Sequence, residues 1–329
     1  MREMTAVAHY NLIERIGEGG IGELYRARDT KVGRTVALKL VSPAITGDPD
    51  RLRRLMLDAR MMTVLSHPNI ATLWEIGESD GQTYLAYEFA AGRSLLEESG
   101  GAPMNPRRAL DLAVQIADGV ADAHSAGIIH GDLRPDTIIV TAKGNAKILD
   151  FGLAPWTRGG ARRASAAKNP DALPPESSAV LAYLSPEQAI GSAVDPRTDV
   201  FSIGTLTYEM VTGRNPFVAP TAAATLMNVM QGKFTPASEV NPAVPAELDA
   251  ILAHALTPDL ARRQQSAAAL AAELRSVAAV LDVRTGDAGA PSAILPIDDK
   301  ADRNVLGLLA GVLVAAAAAA AGVWWWLSR

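Results

Sequence analysis

Polar and apolar residues alternate in short runs over the first ninety positions and at a longer period after that. Residues 10–27, "YNLIERIGEGGIGELYRA", alternate and then break at glycines. Residues 34–41, "RTVALKLV", are β-branched and alternating. Period-two alternation bounded by turn residues predicts a strand, a glycine-rich turn, a second strand and then a third. A helix is expected over 49–65, carrying Leu52, Leu55, Met56, Met61 and Met62, and a strand over 82–90. The period then lengthens. Over 107–126, Leu110, Ala113, Val114, Ile116, Ala117 and Val120 recur near helical spacing. Two short strands, 138–140 and 146–149, flank "TAKGN", and from about residue 196 the chain is mainly helical, punctuated by "TGRNPF" and "LTPD". A β-rich smaller part followed by a helix-rich larger part predicts an α+β, two-lobed body. Its ligand is expected in the cleft between the lobes.

Composition narrows the function classes. At 48% hydrophobic and 20% charged over 329 residues, the chain can bury a sizeable core. A net charge of −5 provides no general attraction to nucleic acid, and none is expected as a partner. There is no cysteine, which excludes disulfides and thiolate metal sites. The N-terminal "MREMTAVAHYNL" lacks an apolar core, so no signal peptide is expected. From Val305 to Leu327 no residue is charged, a run of 23, against the roughly 20 that a membrane-spanning helix needs. Trp324, Trp325 and Trp326 stand at one end, as interfacial anchors do. The organisation read from this is a folded body over 10–281, a Gly/Pro/Asp-rich juxtamembrane linker over 282–304 and a single transmembrane helix over 305–327. Lys300 and Arg303 lean towards a cytoplasmic body.

"GEGGIG" supplies Gly17, Gly19 and Gly22 in the pattern GxGxxG, letters that a Rossmann turn shares. A Rossmann turn opens a helix, whereas here "ELYRARD" continues in strand character. Glycines between two strands let backbone amides approach phosphate oxygens without a Cβ in the way. Lys39 follows in "VALK", then Asp132 in "HGD" and Asp150 in "DFG". This ordered set resembles the eukaryotic-type (Hanks-type) serine/threonine protein kinases, in particular their bacterial members. The resemblance runs over about 10–281 and continues in "SHPNI", "SPEQ", "DVFSIG", "YEMVTGRNPF" and Arg263 before "QQSAAAL". It implies a bilobal protein-kinase fold using ATP and Mg²⁺. Gly17, Gly19 and Gly22 would cover the phosphates and Lys39 would hold them. Glu88 and Ala90 would offer backbone groups to adenine, with Tyr87 in the gatekeeper position. Asp132 would accept the substrate hydroxyl's proton, and Asp150 would hold the metal. Glu187 and Arg263 would form a structural ion pair, and Asp199 would anchor the catalytic loop.

Five positions depart from the family's pattern. Thr137 replaces the asparagine that is the second metal ligand, with a reach about 1.5 Å shorter. Arg134 replaces the catalytic-loop lysine, keeping charge but changing a point charge into a planar fork. Asp58 stands where the family has the glutamate partner of Lys39, one methylene short, so pairing requires the helix to move inward. Val180 replaces a threonine whose hydroxyl contacts the catalytic acid. Gly131 removes the arginine that receives an activation-segment phosphate. Two readings stay open: a membrane-anchored ATP-dependent serine/threonine kinase of weakened activity, and an ATP-binding pseudokinase acting as a membrane-tethered scaffold. An adaptor binding no nucleotide is opposed by the intact glycines and Lys39. The basic stretch between Asp150 and Glu187 reads as a loop or a regulatory segment, with Ser165 after Arg162 and Arg163 a candidate phosphosite. Neither protein substrates nor signalling partners are named by the sequence.

Overall fold

Residues 5–156, 173–174 and 177–285 are described by the computed structural model of the chain. Six strands build the N-terminal lobe: β1 (Ala6–Val7), β2 (Tyr10–Glu18), β3 (Gly22–Asp29), β4 (Thr35–Val41), β5 (Leu73–Ser79) and β6 (Gln82–Glu88). They form one antiparallel sheet in the order β1-β2-β3-β4-β6-β5. Alternation along β4 sorts its two faces. Val36, Leu38 and Leu40 join Tyr10, Tyr84 and Ala86 in an outer apolar cluster, while Val41 joins Leu85 and Tyr87 in the main core. β5 was not legible in the sequence, because Glu75 and Gly77 interrupt its apolar pattern. The structure satisfies Glu75 with the hydroxyls of Tyr10 at 2.9 Å and Tyr84 at 2.6 Å.

Between β4 and β5 lie α1 (Pro43–Thr46) and α2 (Pro49–Met62). α2 starts where the Asp48 side chain accepts from the backbone N–H groups of Asp50 and Arg51, with Pro49 in the first turn. Leu55, Ala59 and Met62 are its buried face. Met61, expected with the apolar set, points outward.

The second lobe follows the predicted change of period. α3 (Leu95–Ser99) and α4 (Pro106–Ser125) lie between the first and second strands of a small sheet of β7 (Gly92–Ser94), β8 (Ile138–Thr141) and β9 (Ala146–Ile148). After it come α5 (Ser177–Leu181), α6 (Pro186–Ala189), α7 (Arg197–Thr212), α8 (Ala222–Gln231), α9 (Ala237–Val240), α10 (Ala246–Ala255) and α11 (Ala267–Thr285). α4 buries Leu110, Leu112, Ile116 and Val120, each contributing about 1.5–3 kcal/mol over its exposed state. α7 is buried along almost its whole length, which makes it the axis of this lobe. The body is thus bilobal, with a β-rich first lobe and a helical second, within one compact unit, Met1–Leu281. The linker beyond residue 285, the apolar run 305–327 and Ser165 lie outside the described residues. Among the described residues no helix is long and apolar enough to cross a membrane.

Candidate active site

Strand alternation aims Lys39. With Val36, Leu38 and Leu40 committed to the outer cluster, Lys39 faces the interlobe cleft with its side chain 14% exposed. Its Nζ donates to a carboxylate oxygen of Asp150 and lies 5.3 Å from the centre of the Tyr87 ring. Burial, and then the Asp150 charge, push the Tyr87 phenol well above its usual pKa. Its hydroxyl is buried with no hydrogen-bond partner among the described residues. Asp150 itself has φ of 58°, a left-handed conformation that costs a non-glycine residue free energy and is typical of functional positions.

The loop bearing Asp132 is held from α7. Asp199, fully buried in that helix's first turn, accepts from the backbone N–H groups of His130 and Gly131, each at 2.8 Å, and contacts His124 Nε2 at 2.8 Å. His130 Nδ1 accepts from the Asp132 N–H at 3.1 Å, so its Nε2 carries the proton and donates to the Leu149 carbonyl at 2.8 Å. The two loops carrying Asp132 and Asp150 are thereby cross-linked through one imidazole. Gly131 has φ of 70°, and the Gln188 side chain donates to its carbonyl at 2.8 Å. Asp132, 5% exposed, lies 3.4 Å from Arg134 Nε, and Arg134 Nη2 lies 3.1 Å from Asp136.

A cleft of about 440 Å³ opens here, lined by Gly17, Gly19, Gly22, Lys39, Arg134, Thr137 and Asp150, together with Asp136, Trp156 and Val180. The glycine turn does two jobs. A Cβ on Gly22 would lie 1.9 Å from the Leu40 carbonyl oxygen, so β3 can approach β4 only without one. Gly17 and Gly19 have nothing within 4 Å of such an atom, which leaves open space where phosphate oxygens would sit. Val180 brings a methyl-lined wall from α5. Glu88 and Ala90 are not among the lining residues. Glu88 ends β6, donating its N–H to the Thr72 carbonyl at 2.8 Å, and Lys147 of β9 holds its carboxylate at 2.7 Å.

Two expected roles meet a different arrangement. Asp58 does not pair with Lys39. Its carboxylate accepts from Trp156 Nε1 at 2.7 Å, and Lys39 is taken by Asp150. The physical reason is reach: the side chain is one methylene short, and Trp156, in the short 3₁₀ turn Ala154–Trp156 after "DFG", offers a nearer donor. Thr137, expected as a metal ligand, lines the cleft, but its hydroxyl is employed by its own loop. It accepts from the Arg134 N–H at 3.1 Å and donates to the Arg134 carbonyl at 2.9 Å. Away from the cleft, Arg263 makes a two-pronged ion pair with Glu187, at 2.9 and 3.1 Å, both residues buried. Burial raises the Glu187 pKa, but hydrogen bonds from Arg263 and Thr198 outweigh it and leave the carboxyl below its ordinary value.

Sequence reasoning missed Trp156, Lys147 and the cross-linking role of His130. The aromatic residue soon after "DFG" and the histidine of "HGD" were the available signals, but their partners are far away in sequence.

Interlobe position, a glycine turn over open space, a lysine–carboxylate pair lining the cleft and a buried aspartate on the loop that brings Arg134 and Thr137 into it match a nucleotide-dependent phosphotransferase architecture. Comparison with known proteins agrees: the profile of the protein kinase domain matches residues 10–274, and the chain belongs to that family. It is 30% identical over 270 residues to the serine/threonine-protein kinase PrkC of Bacillus subtilis, covering 81% of this chain and 40% of the relative. It is 31% identical over 324 residues to the serine/threonine-protein kinase PknB of Mycobacterium tuberculosis, covering 94% of this chain and 49% of that one. The chain thus spans less than half the length of these curated relatives. Among solved structures, the PknI kinase domain of Mycobacterium tuberculosis superposes with a TM-score of 0.63 at 23% identity, over 83% of this chain and 97% of that one. That likeness speaks for the fold.

The cleft fits a nucleoside triphosphate in volume and in its glycine-lined cradle. For a divalent cation the protein offers mainly the Asp150 carboxylate; among the described residues no group of three or more His, Asp or Glu converges to hold a metal. A cation there would be held chiefly by Asp150 and the nucleotide's own phosphates.

Proposed function

We propose that the chain is an ATP-dependent serine/threonine protein kinase of reduced activity, anchored in a membrane by residues 305–327 with the kinase unit on the cytoplasmic side. The observation that carries the catalytic part is the convergence of Lys39, Asp150 and the anchored Asp132 loop on one glycine-roofed cleft. Lys39 would neutralise phosphate charge in place of its present contact with Asp150, and Asp150 would be the residue that holds Mg²⁺. The cation would supply charge neutralisation at the transferring phosphoryl group. Asp132 orients the substrate hydroxyl and accepts its proton. Arg134, beside Asp132, faces the negative charge that develops during transfer. Little covalent chemistry is asked of the protein, so positioning and electrostatics do most of the work.

A second reading, a nucleotide-binding scaffold without turnover, is favoured by the use of the Thr137 hydroxyl within its own loop and of Asp58 by Trp156. One experiment separates the two. The purified chain is supplied with γ-labelled ATP, Mg²⁺ and a generic acceptor protein, with Asp132→Asn alongside. Transfer above that control is expected. Equal rates, together with a melting shift under Mg-ATP, would assign the scaffold. Nucleotide at a hundredfold excess over its dissociation constant should stabilise the fold by about 2.7 kcal/mol; no shift at millimolar Mg-ATP would sink both readings. For the anchor, deleting residues 304–329 should move the protein into the soluble fraction.

A further inference from the structure

The outward face of α2 belongs to none of the functions above, and its composition is unusual for a solvated helix surface. Leu57 is 57% exposed and Met61 55%, and Val64, in the turn that follows, is 66% exposed. Arg53, Arg54 and Arg60 stand exposed around them. Counted from Arg53, residues Leu57, Arg60 and Met61 fall four, seven and eight positions on, one side of a helix of 3.6 residues per turn. The opposite side is buried through Leu55, Ala59 and Met62. Of the two acidic residues of the helix, Asp50 offsets Arg53 at 2.8 Å and Asp58 is turned towards Trp156, so the net positive charge of this face is carried by Arg54 and Arg60.

We infer that this ridge docks on an anionic lipid surface, with Leu57, Met61 and Val64 entering the headgroup boundary and the arginines meeting lipid phosphates. Exposed aliphatic side chains flanked by arginine are what interfacial helices present, since the long cationic side chains reach headgroups while the aliphatic ones insert. A second copy is disfavoured by charge, because a two-fold pairing of this face sets guanidinium groups against each other. The inference rests on the membrane reading of 305–327, which would hold the kinase unit beside such a surface. It adds that the contact engages the helix that presents Asp58 to Trp156.

The chain has no cysteine, so Met61→Cys carries a single nitroxide label, and Val32→Cys, at a position 64% exposed on the β3–β4 turn, is the reference. Each labelled chain is reconstituted in phosphatidylcholine bilayers with and without phosphatidylglycerol, and its collisions with lipid-soluble and water-soluble relaxing agents are compared. The label at 61 should turn several-fold towards the lipid-soluble agent only in the anionic bilayer, and the label at 32 in neither. Replacing Arg53, Arg54 and Arg60 together by Gln, with an unchanged melting temperature as the folding check, should abolish that change. Partition of the water-soluble 1–303 fragment onto anionic vesicles, if its melting temperature matches that of the intact chain, should then weaken on the order of a hundredfold at about a factor of five per arginine.

Sedimentation with neutral vesicles reads the anchor separately. A chain left in the supernatant there ends the anchor reading, and the ridge is then tested with anionic vesicles added from outside. A label at 61 that stays aqueous on anionic bilayers overturns the inference. So does shielding that is equal without lipid and grows with protein concentration, which would assign an interface between copies.

Discussion

Replacing Trp156 by Phe is expected to raise phosphotransfer. Trp156 is 8% exposed and its indole N–H donates to Asp58 at 2.7 Å. Phe keeps most of the buried ring and deletes the donor. Hydrogen bonds to charged groups contribute about 1.5–3 kcal/mol. Asp58 is only half-buried, so water replaces part of the loss and the lower end, about 1.5 kcal/mol, applies. That is roughly a tenfold change in the equilibrium between Asp58 bound to Trp156 and Asp58 free to approach Lys39. If the Lys39–Asp58 pairing belongs to the turning-over state and is a minority, the initial rate at saturating Mg-ATP rises by up to about tenfold. Asp58→Asn is the control: it loosens the same contact but removes the carboxylate that Lys39 needs, so it gives no rise. A Trp156→Phe rate at or below that of the unmodified chain, measured with equal nucleotide-induced melting shifts, would refute the reasoning.

Three further outcomes follow from the geometry. Tyr87→Phe removes a buried hydroxyl that has no partner among the described residues, so thermal unfolding should shift upward, by about 1 kcal/mol in stability; a fall would show that the hydroxyl is satisfied. Arg263→Met leaves Glu187 as an uncompensated buried carboxylate and should cost about 3–5 kcal/mol in denaturant unfolding. Because Glu187 has a folded pKa below its ordinary value of about 4.3, its contribution is present at neutral pH and is lost as pH falls through the lowered value; acid titration of Arg263→Met should lack that component. Thr137→Asn gives up the hydroxyl that caps the Arg134 N–H but gains reach into the cleft, so transfer at low Mg²⁺ should rise several-fold while stability falls by about 1 kcal/mol. Unchanged transfer in that variant would remove position 137 from metal binding.

Much of this protein could be read before its fold was known, because the relevant signals are local. Alternation over 34–41 placed Lys39 on a strand face opposite Val36, Leu38 and Leu40, since a strand has only two faces. Glycine spacing at 17, 19 and 22 marked a turn that no bulkier residue could make at Gly22. The order of Lys39, Asp132 and Asp150, with the glycine turn before them and the motifs after them, carried the family resemblance, because the sequence neighbours of each set its local backbone. Partnership was the province of tertiary structure. Asp58 lies 98 residues from Trp156, and nothing in either neighbourhood announced that the indole, not Lys39, would claim its carboxylate. Thr137 was legible as a substitution, but whether its hydroxyl faced a metal or its own loop depended on the folded loop, in which the Arg134 backbone engages it. Met61 carries the same apolar character as Met62, yet one is outside and the other buried. A helix presents successive residues about 100° apart, and only the position of the sheet beside it decides which of them is covered.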